Sequence, residues 1–435
     1  MTLRYYARIT LPVALLGLLF ACGGSDDGGG AEPDADTGGE DVEPFSEDCT
    51  VGLEPQGDID ATTDAALEVF IEAEPGDVIC FNAGDYLLRE TLSLGADDVE
   101  IRGEGRDDVV LDFAEQDSGT NGIDVANVEN FEIRSLSIVD AGGEGSDSGD
   151  GIRIENVTGA VVDDLRVDWR GEPESDNGDY GIYPVNSQNV IVENSVVSGS
   201  SDAGIYLGQS ETAILRGNEV FENVAGIEVE NSTHVDVYEN EVYDNTGGIL
   251  IFNLPELQRK EGELTRVFDN EVYDNNRENF ADGGIVSMVP TGSGFLVIAV
   301  QDVEVFDNLI ENHDSIGVGI VSYDSVPLGY DDDEYYPYAE RINVHSNTII
   351  DAGDDPDTLA EVLTGLDAPF PAIVWDGIIN DDLDPEEYQS CFDGNVDGDG
   401  DPVDYVNFGA DEGEEDTGPE FDDGCERDPL PAVEL

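Results

Sequence analysis

Lysine occurs once in 435 residues, at Lys260, and lysine plus arginine total 16 against 102 aspartates and glutamates. The formal net charge is −86. A chain so poor in cations offers no basic patch for a phosphate backbone or an anionic lipid surface, which excludes nucleic acid as the main partner. Histidine is equally scarce, and His234, His313 and His345 sit in different repeats, so no histidine-based site is expected. No Cys-x-x-Cys occurs, which argues against covalent haem. A phosphate-cradling glycine loop and a serine-hydrolase elbow are both missing, so no nucleotide is expected. The 51 glycines have no three-residue period, which excludes collagen. Apolar residues are not lacking. They make up 39% of the chain, with valine and isoleucine in a regular pattern, so a sizeable core can form despite the charge.

The N-terminus reads as an address. Arg4 and Arg8 precede an apolar run from Ile9 to Phe20, too short to span a bilayer and placed as a signal peptide is. Leu19-Phe20-Ala21-Cys22 looks like a bacterial lipobox, which implies lipidation of Cys22; the plainer alternative is an ordinary signal peptide with an incidental cysteine. Gly23 after the cysteine, rather than Asp, favours the outer membrane by the usual Gram-negative sorting rule. Residues 1–21 are thus expected to be a signal peptide, and residues 22–48 an acidic Gly/Asp-rich tether kept extended by its own charge. Membrane contact is expected only through the lipid.

Four further cysteines, Cys49, Cys80, Cys391 and Cys425, fit two disulfides in an exported protein. They lie at opposite ends of the chain, so Cys49–Cys80 and Cys391–Cys425 is preferred among three connectivities.

The body repeats. Gly-Ile pairs begin at positions 122, 151, 181, 204, 226, 248, 284 and 319, at intervals of 29, 30, 23, 22, 22, 36 and 35. A minimum near 22 with longer values describes one unit with loop insertions. Within a unit, Gly226 to Asn231, Val235 to Asn240 and Glu241 to Tyr243 alternate apolar and polar residues, so each run is a strand with one buried face. Three strands too short to close a core must stack on their neighbours. The expected fold is therefore all-β, a right-handed parallel β-helix (solenoid) over 49–380. Asn194, Asn218, Asn240, Asn270, Asn308 and Asn347 follow the second strand of successive units. An amide both donates and accepts, tolerates left-handed backbone and can bond its equivalent one coil away, so a stacked asparagine ladder is expected.

A short N-terminal capping helix is expected where Thr62, Thr63 and Asp64 offer N-cap chemistry before an apolar face of Ala65, Ala66, Leu67, Phe70 and Ile71. Pro75-Gly76-Asp77 then turns into Val78-Ile79-Cys80-Phe81. Here the chain resembles the pectate-lyase-like right-handed β-helix superfamily. The blocks Asn177 to Val185, Ser201 to Ser210, Asn223 to Ser232, Asn245 to Pro255 and Val289 to Gly294, with the closing Leu430-Pro431-Ala432-Val433, are similar to bacterial parallel β-helix repeat lipoproteins often encoded beside a c-type cytochrome. That resemblance implies an envelope lipoprotein and an exported cytochrome as an alternative partner. It carries no catalytic residues over, since the family has no assigned reaction.

Outward positions of the first strand stack along the axis. Tyr183, Tyr206 and Glu228, with Gln209 and Glu230 nearby, fit a polysaccharide-binding groove, because tyrosine faces suit a pyranose while amides and carboxylates bond its hydroxyls. The plainer alternative is that tyrosines suit strands and acids suit a solvated surface. Asp202 with Glu228 is a weak candidate for a catalytic carboxylate pair. A lyase would more readily use Ca²⁺ with an Arg or Lys base, and Arg170, Arg216 and Arg266 are the nearby bases.

Residues 381–435 read as an acidic segment closing the helix. Asp393, Asn395, Asp397, Asp399, Asp401 and Asp404 stand at the spacing of an EF-hand-like loop, which suggests Ca²⁺. Against that, Pro402 lies inside the loop, and residues 403–408 read as a strand rather than a flanking helix. The global acidity fits adaptation to salty water better than multivalent Ca²⁺ binding, since the acids are spread over the whole chain.

Overall fold

The computed structural model describes residues 48–142, 149–380, 382–384, 388–409, 416–417, 425 and 427–435. The expected signal peptide, Cys22 and all of the tether except Asp48 lie outside the described residues. Among the described residues no helix is long and apolar enough to cross a membrane.

The chain winds as a right-handed parallel β-helix, its described residues forming three sheets of twelve, eleven and ten strands. One turn, here called a coil, contributes one strand to each sheet. The coil at the middle of the chain consists of Ala225–Glu230 in the twelve-stranded sheet, Thr233–Tyr238 in the eleven-stranded sheet and Glu241–Tyr243 in the ten-stranded sheet. Alternation sends Ile227, Val229, Val235, Val237 and Val242 inward, where all five are buried. Ile205, Ile227 and Ile249 then stack in register on successive coils. No coil can shield these side chains alone, so each rung's burial depends on the rungs above and below. Among the described residues every paired strand runs parallel except the last, where Asp416–Thr417 is antiparallel to Tyr405–Asn407.

The glycine of each unit is sterically required. A Cβ on Gly226 would stand 2.7 Å from the Gly248 carbonyl oxygen, and one on Gly248 would stand 2.5 Å from that of Gly294. The same close approach links Gly122, Gly151, Gly181 and Gly204 below, and Gly294 to Gly317 above. This corrects the last two Gly-Ile pairs of the sequence pattern. Gly284 lies in a turn, and the strand of that coil is Ser293–Ile298 with Gly294-Phe295 at the shared register. In the next coil Gly317-Val318 pairs with Gly294-Phe295, and Gly319 faces Leu296 instead. The dipeptide misled because the rung needs a glycine followed by any apolar residue.

The asparagine ladder is buried and continuous from Asn218 to Asn347. Each amide donates to the next Oδ1, as from Asn240 to Asn270 and from Asn270 to Asn308, both at 2.9 Å. Each backbone N–H converges on the same oxygen. Asn194 is not a rung. It is exposed with φ at 52°, and the neighbouring Ser195 takes the place, its N–H donating to Asn218 Oδ1 at 3.0 Å. A parallel ladder that the sequence reading missed runs through Asn223, Asn245 and Asn275. His313 continues it by contacting the Val272 carbonyl, and burial pushes its imidazole down to about 4.

The capping helix spans Ile59–Glu72 and starts earlier than expected. Asp58 is its N-cap, accepting from the Ala61 N–H, while Thr62 and Thr63 are buried within the first turns. Ala66 and Phe70 pack on the core, but Ile71 is 76% exposed, because one residue past Phe70 turns it away from that face. At the other end the coil continues past residue 380: Tyr405–Asn407 extends the twelve-stranded sheet and Asn395 joins the asparagine ladder. Cys49–Cys80 and Cys391–Cys425 are both disulfide-bonded, which fits an oxidising, extracytoplasmic compartment.

Candidate functional site

The outer face of the twelve-stranded sheet carries one row of side chains along nearly the whole axis. In order of coils it reads Ser93, Asp124, Arg153, Tyr183, Tyr206, Glu228, Leu250, Leu296, Gly319 and Val374. The row passes from polar through aromatic and acidic to aliphatic.

At its polar end lies a trough of about 460 Å³. Its walls include Asn121, Asp124, Asp150, Arg153, Glu155, Asp179, Tyr180 and Tyr183. Tyr183 is half-buried, and Arg153 lies over its ring with Cζ 4.7 Å from the centroid. Arg153 also reaches Glu155 at 3.1 Å and Asp150 at 3.4 Å. Asn121 donates to Asp124 Oδ1 at 2.6 Å and accepts from the Asp150 N–H at 3.0 Å, fixing the far wall. Burial, countered by Arg153 and reinforced by Asp179 and Asp124, raises the Asp150 carboxyl to about 7. Burial also raises Asp179, against the Ser201 hydroxyl that bonds it.

Behind the trough Tyr180, Tyr183 and Tyr206 form a mutual cluster with centroids 4.5 to 4.8 Å apart. Gly208 makes room for it, since a Cβ there would stand 2.3 Å from the Tyr206 ring. Tyr206 and Glu230 are nearly buried, and Glu228 is only 1% exposed. The expected open groove is therefore roofed over these residues, and only Tyr183 of the predicted set lines the trough. Gln209 is engaged elsewhere: its Oε1 accepts from the Gln258 and Arg259 N–H groups at 3.0 and 3.3 Å, pinning the loop that follows Leu254.

Asp202, Glu228 and Glu230 crowd beneath that roof. Burial first, and then the charges of Asp179, Glu230 and Asp150, raise Asp202; burial and the charges of Asp202 and Glu230 raise Glu228. Burial raises Glu230 against a hydrogen bond from Tyr206. Tyr180 donates to Asp202 Oδ2 at 3.2 Å, while Glu228 Oε2 has no hydrogen-bond partner among the described residues. A carboxyl enclosed like Glu228 holds its proton and does not meet a polymeric substrate, so the Asp202/Glu228 pair is not placed for glycoside cleavage. The three arginines considered as bases face other sheets in ion pairs: Arg170 with Asp112 and Asp140, Arg216 with Glu193, and Arg266 with Asp236.

The C-terminal acidic loop does not fit the calcium ligand set. Asn395 is buried as the last rung of the ladder, and its Oδ1 accepts from both Asn347 N and Nδ2. Asp397 Oδ1 closes a turn by accepting from the Asp399 and Asp401 N–H groups, each at 2.9 Å. Asp393, Asp399, Asp401 and Asp404 are exposed. Among the described residues no three or more His, Cys, Asp or Glu side chains converge to hold a metal ion.

Tyr180 and the trough acids Asp124, Asp150 and Asp179 were missed by sequence reasoning. The signal for Tyr180 was present, since it directly precedes the Gly181-Ile182 pair.

The family model for the right handed beta helix region matches residues 112–285 and 175–332. Among solved structures, the A-module of the Azotobacter vinelandii mannuronan C-5 epimerase AlgE4 is 16% identical, with a TM-score of 0.44 over 78% of this chain and 90% of that one. An alginate lyase from Paenibacillus is 13% identical, with a TM-score of 0.42 over 80% of this chain and 96% of that one. A DFA-IIIase from Arthrobacter chlorophenolicus A6 is 14% identical, with a TM-score of 0.49 over 82% of each chain. At these identities nothing about chemistry passes from them to this chain.

Proposed function

This chain belongs to the right-handed β-helix family, and on that premise we propose that it binds a polysaccharide in the trough at the polar end of its twelve-stranded sheet. The observation that carries the reading is the Arg153–Tyr183 pair on the trough wall. An aromatic ring set among amide, hydroxyl and carboxyl groups offers a sugar an apolar surface for its C–H face and partners for its hydroxyls. The guanidinium locks the ring in place, so little ordering is lost when a sugar arrives. The lining of the trough runs over four successive coils, those of Ser93, Asp124, Arg153 and Tyr183, which suits a chain-like ligand. Lipidation at Cys22, with the following segment as a spacer, would hold the trough at the bacterial envelope, where such polymers are met.

The role is binding, because neither member of the Asp202/Glu228 pair lines the trough, and Glu228 is buried. A glycan array with the wild type, Tyr183→Ala and Arg153→Ala tests the proposal. Recognition of at least one glycan class, weakened about tenfold by Tyr183→Ala, is expected, since an aromatic contact contributes about 1 kcal/mol or more. A blank array, or binding that ignores both substitutions, would remove it.

A further inference from the structure

Resting on the carbohydrate reading above, we infer that the trough favours glycans bearing protonated amino groups, such as deacetylated hexosamine oligomers, over neutral ones and rejects polyuronates. Four acids, Asp124, Asp150, Glu155 and Asp179, line it against one cation, Arg153, an acid excess of three. That cation is already committed: Glu155 and Asp150 take its N–H groups, and Tyr183 takes its face. A uronate entering the trough would find no free cation among the lining residues and would meet several carboxyl groups. The outward row beyond Tyr183 offers none either, since it continues with Tyr206 and Glu228. A sugar ammonium brings three donors and a positive charge to acids that have no second counter-ion among the described residues.

The titration of the wall points the same way. Asp150 is enclosed and faces Arg153 on its own strand, Asp179 and Asp124 on the adjacent coils, Asn121 at its backbone, and Tyr180 and Tyr183 on the neighbouring strand. Burial and the neighbouring acids keep its proton on to about pH 7. A bound ammonium stabilises the carboxylate; because a sugar amine titrates near neutrality, the proton leaving Asp150 is matched by one held on the amine, so binding is strongest near neutral pH and weakens on either side, where the carboxyl is protonated or the amine is not.

Isothermal calorimetry on the intact protein decides the matter with three probes: a fully deacetylated chitosan oligomer, its N-acetylated counterpart and an oligomannuronate. Titrations below, at and above neutral pH report the optimum. The deacetylated oligomer is expected to bind at least about tenfold more tightly than the acetylated one, most tightly near neutral pH, and the uronate not to bind. Asp150→Asn and the more exposed Asp124→Asn are each expected to erase most of that difference. Asp64→Asn with Glu68→Gln, on the exposed face of the capping helix, is expected to leave it intact. Equal affinity for the two hexosamine oligomers overturns the inference, as does binding of the uronate. So does a preference that survives both trough substitutions, since that is attraction to the acidic surface at large. If neutral glycans bind and Tyr183→Ala abolishes it while the amine adds nothing, this inference falls and the carbohydrate reading stands. If no glycan of any charge binds, both fall.

Discussion

The side-chain amide of Asn347 donates to Asn395 Oδ1 at 2.9 Å, and that bond joins the C-terminal acidic loop to the ladder running through the middle of the molecule. The loop's asparagine serves the coil stack, with its oxygen turned toward Asn347 and its amide toward the Val344 and Phe392 carbonyls. A residue that looks like a cation ligand when read with its sequence neighbours is a rung when read with its neighbours in space.

The ladder's weight can be measured at one rung. Asn270→Ala leaves Asn240 N without its acceptor, takes the amide donor from Val237 O, and removes one of two bonds from Asn240 Nδ2, which keeps Leu215 O, and from Asn308 Oδ1, which keeps the backbone N–H of position 270. Buried polar groups so stranded cost about 1–3 kcal/mol, so a loss of about 3 kcal/mol is expected in urea unfolding. Asn194→Gly, at the exposed left-handed position beside the ladder, is expected to change stability by less than about 0.5 kcal/mol.

Two glycines that look alike in sequence should behave differently. Gly248→Ala drives a methyl to 2.5 Å from the Gly294 carbonyl oxygen and 2.6 Å from a Val272 methyl, neither of which can withdraw without opening a rung. A cost of about 3 kcal/mol or failure to fold is expected. Gly284→Ala meets nothing within 4 Å and bears only the left-handed backbone penalty, about 1 kcal/mol. Thermal melts of the two variants make the comparison.

Glu228 controls a pH dependence. Burial and the charges of Asp202 and Glu230 raise its carboxyl in the folded state, so folding retains protons that the unfolded chain releases. Its neutral form fits fully below the unfolded carboxyl range, about pH 4, and stability is lost as pH rises through the raised folded value. Glu228→Gln keeps the shape and removes the ionisation. The variant is expected to melt about 2 °C or more above the wild type at pH 8 and to show little difference at pH 4. A wild type already the more stable of the two at pH 8 would contradict a protonated Glu228.

The tail after Cys425 lies along the outer face of the eleven-stranded sheet. Leu430 N donates to Glu304 at 3.0 Å, and Val433 N to Asp236 at 3.1 Å. The Cys391–Cys425 link closes a loop of 34 residues in sequence separation. Removing it by Cys425→Ser with Cys391→Ser is expected to cost about 2–4 kcal/mol of local stability and to expose the tail to limited proteolysis, while the coils before Ile373 remain resistant.

The fold was legible because a β-helix writes its period into the sequence. Ile205, Ile227 and Ile249 recur at intervals of 22, and so do Asn218 and Asn240. Errors arose where the repeat accepts chemical equivalents. Phe295 and Val318 stand where isoleucine was sought, Ser195 stands for asparagine, and a long insertion displaces the strand that Gly284 seemed to announce. The site was half legible. Outward alternation placed Tyr183, Tyr206 and Glu228 on one row, but no local pattern says that Gln209 pins a loop or that a roof covers Glu228. Asp150 and Asp179 enter the trough from adjacent coils, so their meeting depends on a register visible only after folding.

A crystal of the protein soaked with whichever oligosaccharide binds most tightly in solution tests the binding proposal most directly. Density for a sugar ring against Tyr183, with hydroxyl or amino groups within hydrogen-bond distance of Asp124, Asp150 or Asp179, is the expected result. A sugar seated on another sheet, with the Arg153–Tyr183 wall bare, would contradict it.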